Sequence, residues 1–394
     1  MQYRTDLKSG NKLSIMGFGC MRFTRNFTEI DMEKAEQLIV KAVLNGINYF
    51  DTAYIYSGSE EVLGKILAKN NLRDQIFLAT KLPLAKCKKY EDFDLLFKTQ
   101  LERLQTDYID YYLMHNLGDI QLWEKLCKIG VEKWIKEKKE SGQIRNVGFS
   151  FHGIHSEFLN LLDRYDWDFC QIQYNYLNAD YPTGTSGLKK AAEKGMSVIV
   201  MEPLLGGKLA TGLPKKVINT FKAENSSMSP AAWGLRWLWN QKEVTVVLSG
   251  MNEFSQLDEN IETAKDAVPC MLTPKEEKIF DSVLSIINES YKIPCTGCNY
   301  CMPCPHGVNI PACFAAYNTS HVVGMYTGFY QYVASTRLLE PKNHYAASKC
   351  QECGTCEKKC PQHIPIIKSL KDTKKKFEPF WLRPALNLYM KFKV

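Results

Sequence analysis

Residues 48–64 read NYFDTAYIYSGSEEVLG. A short apolar run, Ile47–Ala53, gives way to a loop and then to an amphipathic stretch, Glu60–Leu67, so the segment spells one strand, one loop and one helix. The same unit recurs on both sides of it. Further strands are expected at Ile15–Gly19, Ile76–Lys81, Ile109–His115, Val147–Phe151, Cys170–Tyr174, Val198–Glu202 and Thr245–Gly250. Helical periodicity lies between them at Met32–Leu44, with Asp31 as its cap, and at Phe93–Leu104, Leu122–Ser141, Leu188–Glu193, Pro230–Asn240 and Gln256–Ala264. Eight parallel strands, each followed by a helix, over roughly 250 residues are what a (β/α)8 TIM barrel requires. An open doubly wound sheet would also alternate, but no Gly-x-Gly-x-x-Gly follows the first strand, and Gly17-Phe18-Gly19 alone is too short a signal.

After Leu272-Thr273-Pro274 the pattern changes. A helix over Lys275–Asn288 leads into two cysteine runs, Cys295-x2-Cys298-x2-Cys301-x2-Cys304-Pro305 and Cys350-x2-Cys353-x2-Cys356-x3-Cys360-Pro361. Cysteines three apart place three thiolates around one corner of an iron–sulfur cube, and the cysteine ahead of a proline leaves its run to ligate the other cluster. Crossed ligation puts Cys295, Cys298, Cys301 and Cys360 on one [4Fe–4S] centre, and Cys350, Cys353, Cys356 and Cys304 on the second. Zinc is the rival for any Cys-x2-Cys pair, but gives no reason for a third cysteine at the same spacing and a following proline in both runs. The first run is one residue short of the usual x3 before its last cysteine. Of the six scattered cysteines, Cys313 alone stands near enough to a run to substitute as a ligand, and buried thiols are the ordinary reading of the rest. About 45 residues separate the runs, and Ile310–Asn318 and Tyr326–Leu339 within them are helix-compatible. The expected architecture is therefore a barrel over 1–285 followed by a small, mainly α-helical two-cluster ferredoxin domain over 286–394.

The chain has 394 residues, 45% of them hydrophobic, enough for one large and one small domain. Its polar start, MQYRTDLKSGNK, has no apolar core of signal-peptide length, and no stretch reaches the length of a membrane span, so a cytoplasmic location is expected. In that compartment fourteen cysteines argue for thiolate ligands and against a disulfide framework. The net charge of +7 is concentrated at the end, where residues 368–394 carry eight Lys or Arg against Asp372 and Glu378. Basic tails can touch nucleic acid or an anionic membrane. With Phe377, Phe380, Trp381, Leu386, Leu388, Tyr389 and Met390 interleaved, this one reads as a tail that packs its aromatics on the protein and could dock an acidic redox carrier such as a ferredoxin or flavodoxin, with no nucleic-acid role.

Barrel active sites lie at the C-terminal ends of the strands. Asp51 closes the second strand, Tyr56 follows in its loop, Lys81 ends the third strand and His115 the fourth. Singly, these read as an ion pair, a loop aromatic and a core histidine. Jointly they make a carbonyl-reduction site. A hydride reaching a carbonyl carbon leaves an alkoxide that must take a proton. A phenol titrates near pH 10, and a neighbouring ammonium is expected to lower that value, while a carboxylate keeps the lysine charged and in place. The imidazole can hydrogen-bond and orient the same oxygen.

The motifs DTAYIYSGSEEVLG, LATK, Gly148-Phe149-Ser150, Gln171-x-Gln173-Tyr174-Asn175, Glu202-Pro203-Leu204 and SGMNEFSQLDEN, with the strand-end His115, resemble the aldo/keto reductases, and the cysteine region resembles those members that carry a ferredoxin-type C-terminal domain. The resemblance covers essentially the whole chain. It implies a nicotinamide dinucleotide as hydride donor, a small-molecule carbonyl substrate, and Asp51, Tyr56, Lys81 and His115 as the catalytic set. Ser150, Gln171, Gly250, Gln256 and Asn260 are the implied cofactor contacts, with the backbone around Gly206 able to approach a pyrophosphate. Three positions depart from the family pattern: Phe151 where a carboxamide-binding Asn is common, Met201 where an aromatic often stacks on the nicotinamide, and Asn252 where a cation meets a 2′-phosphate. An NADPH preference is thus not implied, and NADH, or a different donor, is reasonable. A hydride carries two electrons and a cubane passes one, so a flavin or radical intermediate is needed if the clusters take part in turnover. The alternative reading is an electron-transfer protein whose clusters serve a partner or a barrel-bound flavin; in a third, the clusters only staple the fold.

Overall fold

The computed structural model describes residues 1–153, 155–179, 183–295, 297, 299–340, 344–360, 362–380 and 382. Two strands, β1 (Tyr3–Thr5) and β2 (Lys12–Ser14), pair antiparallel, and a second small hairpin follows as β4 (Arg25–Asn26) and β5 (Glu29–Ile30). The other eight are β3 (Met16–Gly19), β6 (Tyr49–Asp51), β7 (Phe77–Leu82), β8 (Ile109–Met114), β9 (Ile144–Phe151), β10 (Phe169–Gln173), β11 (Ser197–Met201) and β12 (Val244–Ser249). They close into a barrel in chain order, every pair parallel, with β12 hydrogen-bonded to β3. All eight expected strands are present, with ends shifted by up to three residues.

In chain order, the helices up to the end of the barrel sequence are α1 (Met32–Leu44), α2 (Ser59–Lys69), α3 (Tyr90–Leu104), α4 (Ile120–Lys128), α5 (Val131–Glu140), α6 (His155–Leu162), α7 (Gly184–Glu193), α8 (Lys208–Thr211), α9 (Lys215–Glu224), α10 (Pro230–Trp239) and α11 (Phe254–Lys265). Asp31 caps α1 as expected, its carboxylate accepting from the Lys34 amide at 3.0 Å. The single helix expected over Leu122–Ser141 is instead two, α4 and α5. Gly130 adopts φ 95 between them, a conformation that stops one helix and starts the next, and a Cβ there would lie 2.9 Å from the Tyr90 ring.

Strands alternate faces, so every second residue enters the barrel. Tyr49, Ala79, Tyr111, Leu113, Phe169, Ile199, Val246 and Leu248 form one interior cluster, joined from β2 by Leu13. The β1–β2 hairpin, which the polar N-terminal sequence concealed, is fastened to the barrel through Asp6. This fully buried carboxylate accepts from Tyr111 Oη at 2.8 Å, Ser197 Oγ at 2.9 Å and Ser9 Oγ at 2.6 Å.

The chain divides into two compact units, one of residues 1–176, 183–203 and 234–272, the other of 177–182, 204–233 and 273–394. The second adds α12 (Pro274–Glu289), α13 (Ile310–Val322), α14 (Met325–Thr336), α15 (Thr355–Lys358) and α16 (Ile366–Phe377). Thr273 and Glu276 form a reciprocal capping box that starts α12, and Phe280 packs edge-on against Phe221 and Trp233. Around the cysteines the unit is helical, as expected. Tyr332 stacks on Phe377 with ring centres 4.7 Å apart, and its hydroxyl donates to Glu378 at 2.6 Å. Of the tail, Phe377 is buried and Phe380 exposed, while Trp381 and 383–394 lie outside the described residues. Among the described residues, no helix is long and apolar enough to cross a membrane.

Asp6→Ala should leave the buried Tyr111 and Ser197 hydroxyls and the exposed Ser9 hydroxyl without this acceptor and lower stability by roughly 3 kcal/mol. Denaturant titration followed by tryptophan fluorescence checks it.

Candidate functional site

The period-two alternation that builds the barrel interior also builds the site one layer higher. Asp51 stands two residues past Tyr49, Lys81 two past Ala79, His115 two past Leu113 and Gln171 two past Phe169, so all four enter from the interior face. The register sets Asp51 opposite Ala79, which brings Lys81 within reach of its carboxylate. Lys81 Nζ donates to Asp51 Oδ1 at 2.5 Å and to the Thr52 carbonyl at 2.7 Å, and Gln171 Nε2 donates to Asp51 Oδ2 at 3.0 Å. Behind Lys81, Glu60 accepts from Thr80 and Gln100, each at 2.7 Å, and Gln100 also holds the Lys81 carbonyl at 3.1 Å.

Tyr56 is placed by its loop. Its amide donates to the Ala53 carbonyl at 2.9 Å, the Ser59 amide donates back to the Tyr56 carbonyl at 2.9 Å, and Ser59 Oγ is tied to Thr52 Oγ1 and to the Cys20 carbonyl, both at 2.8 Å. The ring thereby meets Lys81, whose Nζ lies 5.1 Å from the ring centre, and stands edge-on to His115 at 6.1 Å. The four expected residues converge.

Their electrostatics correct one expectation. Burial pushes the Tyr56 hydroxyl above its usual value; the Lys81 ammonium pulls the other way but does not prevail, and Asp51 and Glu202 add to the rise. Lys81 itself is pulled down by burial and more than restored by Asp51 and Tyr56. Burial, helped by the charge of Lys81 and by His152, holds His115 well below the ordinary histidine value, so its ring is neutral.

The expected cofactor contacts behave differently from one another. Gln171 keeps a buried Oε1 with no hydrogen-bond partner. Ser150 Oγ accepts from the Asn116 amide at 2.8 Å, Gln256 Oε1 accepts from the Asn252 amide at 3.1 Å, and Asn260 Nδ2 donates to Ser249 Oγ at 3.1 Å, so these three already hold loops in place. Gly250 lies under Arg22, whose Cδ would be 3.2 Å from an added Cβ. Gly206, at φ 66, belongs to the second unit. Phe151 points away from the interior and packs on Phe158 of α6, and Met201 packs against the interior cluster. His152, unmarked in the sequence, and Glu202, which the sequence marks only as a motif residue, join the site; continuing the alternation from Ser150 puts His152 on the interior face.

In the second unit, Cys295, Cys301 and Cys360 line one small cavity with the apolar side chains of Ile310, Phe314, Ile364 and Ile366. That is the crossed grouping expected from the runs; Cys298 lies outside the described residues. Cys304 is close enough to Cys356 to act on its thiol. Cys350 accepts from the Glu352 amide at 3.4 Å, and Cys353 is exposed, its thiol drawn down by the Thr355 amide and hydroxyl. Cys313 is fully buried in the core and does not line the cavity. Among the described residues, no three His, Cys, Asp or Glu are grouped tightly enough for a single metal ion.

The two runs share one backbone plan. Gly297 and Asn299 take φ 71 and 63, and their counterparts Glu352 and Gly354 take φ 56 and 73. Gly307 and His363, each three residues past the last cysteine of its run, take φ 74 and 51. Helices α13 and α16 both begin three residues further on, at Ile310 and Ile366.

The aldo/keto reductase family model matches residues 15–269, and the model of a 4Fe-4S dicluster domain matches residues 294–365. A barrel oxidoreductase with an appended iron–sulfur domain is thus the class that fold and site define. The chain belongs to the aldo/keto reductase family and carries a C-terminal ferredoxin-type domain. It is 26% identical over 325 residues to the probable aldo-keto reductase 1 of Glycine max, covering 70% of this chain and 86% of that protein. It is 27% identical over 281 residues to the L-galactose dehydrogenase of Arabidopsis thaliana, covering 64% and 85%. Among solved structures, the holo form of aldo-keto reductase AKR11C1 from Bacillus halodurans matches with a TM-score of 0.60 at 26% identity, over 72% of this chain and 96% of that one.

A neutral folded-state His115 opposes protonation that the unfolded chain accepts near pH 6.5. Stability is therefore complete above that value and falls as the medium is acidified through it. His115→Asn should flatten this loss by up to about 1.4 kcal/mol per pH unit. Denaturant midpoints from pH 7.5 to 5 measure the difference.

Proposed function

We propose that this protein is an NAD(P)H-linked carbonyl reductase, running in reverse as an alcohol dehydrogenase, with Tyr56 as proton donor. The observation that carries the reading is the convergence of Tyr56, Lys81, Asp51 and His115 beside the unpartnered Gln171 Oε1. A nicotinamide dinucleotide, when bound, supplies the hydride to the carbonyl carbon. Tyr56 and the neutral His115 donate hydrogen bonds to the substrate oxygen, and Tyr56 then releases its proton to the nascent alkoxide. Lys81 stabilises the phenolate left behind, and Asp51 keeps Lys81 charged and fixed. The raised Tyr56 value keeps the phenol protonated through neutral pH, as a proton donor must be. Gln171 Oε1, buried and unpaired, suits the amide of a nicotinamide carboxamide. Arg22, lying against Gly250, offers the segment after the last barrel strand the cation that Asn252 does not.

The eight cysteines fit two [4Fe–4S] clusters in crossed ligation: Cys295, Cys298, Cys301 and Cys360 for one, and Cys304, Cys350, Cys353 and Cys356 for the other. Three of the first set ring an apolar-walled cavity, which suits a group held by thiolates and shielded from water. Lys368, Lys374 and Lys375 are exposed on α16 and favour encounter with an acidic one-electron carrier.

Tyr56→Phe should lower carbonyl turnover by about 10²–10⁴ with iron content unchanged; turnover at the wild-type rate rules Tyr56 out as the donor. Since burial raises Tyr56, carbonyl reduction should hold level through neutral pH and decline only above about pH 10, while alcohol oxidation should rise over the same alkaline range. Purified anaerobically, the chain should hold about eight iron and eight sulfide, and Cys360→Ser should lose one centre and spare the other. Stoichiometric zinc in place of iron would end that assignment.

A further inference from the structure

Two groups at the barrel end neither give nor take the proton or the hydride, although their charges bear on Tyr56 and His115. His152 directly follows β9, and Glu202 directly follows β11. The His152 ring lies close to the side chain of Gln173, at the end of β10, while its Nδ1 is buried with no partner. Glu202 sits at φ 52, a left-handed conformation that a residue with a Cβ adopts at a cost, and its carbonyl accepts from Asn175 Nδ2 at 3.4 Å. Its carboxylate is near enough to act on both Tyr56 and His152. Asp51 and Lys81 cancel one another at 2.5 Å, so among these groups Glu202 is the charge that remains.

We propose that His152 and Glu202 select the substrate: they favour a neutral carbonyl compound bearing a hydroxyl on the adjacent carbon and disfavour the corresponding keto acid. The inference rests on the carbonyl-reductase reading and specifies its substrate class. The free Nδ1 donates or accepts according to tautomer, and a hydroxyl can do either in return. The Glu202 carboxylate accepts from that hydroxyl, whereas a substrate carboxylate at the same place meets a like charge away from bulk water. An unsubstituted ketone leaves the His152 nitrogen as unpaired as it is in the free protein, so it gains nothing from either group.

Acetone, hydroxyacetone and pyruvate form a matched three-carbon set for the full-length protein. The kcat/KM for hydroxyacetone should exceed that for each of the other two by about tenfold or more. Glu202→Gln should raise the pyruvate-to-acetone ratio by about tenfold. His152→Leu should collapse the hydroxyacetone-to-acetone ratio towards one, and His152→Gln, which keeps a donor and an acceptor, should restore part of it. Ligand-observed NMR gives the same ranking from binding alone. Ratios that neither variant moves, or equal binding of all three ligands by the wild type, overturn the assignment. Binding in the expected order without turnover of any of the three counts against the reductase reading and leaves the selection by His152 and Glu202 standing.

Discussion

An ammonium and a carboxylate buried together inside the barrel mouth set the terms for everything around them. Lys81 and Asp51 are both nearly out of contact with water. Such a pair is expensive to desolvate, and its mutual attraction offsets the cost only where further hydrogen bonds satisfy both ions. The Thr52 carbonyl and the Gln171 amide meet that condition here. Each of these partners comes from a different part of the barrel, so the pair exists only when the sheet is closed in one register. A slip by one residue would turn Lys81 outwards. The Glu60, Thr80 and Gln100 network on the other side of β7 opposes such a slip, since its own bonds are made in the same register.

Most of this was legible in the sequence because it follows from periodicities. The eight strands show as apolar β-branched runs, and Asp51, Lys81 and His115 stand where barrel strands end. What failed to show depends on contacts remote along the chain. Gly130 looked like one more residue in a long amphipathic stretch, and only the Tyr90 ring against it and its left-handed backbone make it a helix break. The hairpin at the N-terminus has three-residue strands, too short for alternation to register, and is held by the buried Asp6. The ammonium beside Tyr56 was visible, but the degree of burial that outweighs it was not. His152 follows from continuing the β9 alternation past Ser150, but it stands one residue beyond the apolar run that marks the strand.

The iron–sulfur unit reads differently, because spacing and not periodicity carries the information. Its two halves follow the same backbone itinerary although the first run is a residue shorter. Left-handed turns fall at equivalent places after Cys295 and Cys350, and one helix leaves each run at the same distance from its last cysteine. The missing residue is thus absorbed between the third and fourth cysteines, and the turn and helix beyond them keep their places. Asn318, on α13, holds Ile293 through both its amide nitrogen and its carbonyl, at 3.0 and 2.7 Å, and so anchors the strand of chain that enters the first run.

The cavity lined by Cys295, Cys301 and Cys360 also constrains the order of events during synthesis. Its wall needs Ile366, which follows the first of these cysteines by some seventy residues. While the ribosome is still adding that stretch, the last barrel strand and its helix are already complete. The barrel strands are therefore all made before either group of thiols is complete in the chain, and the three thiols that line this cavity can come together only once α16 has been added.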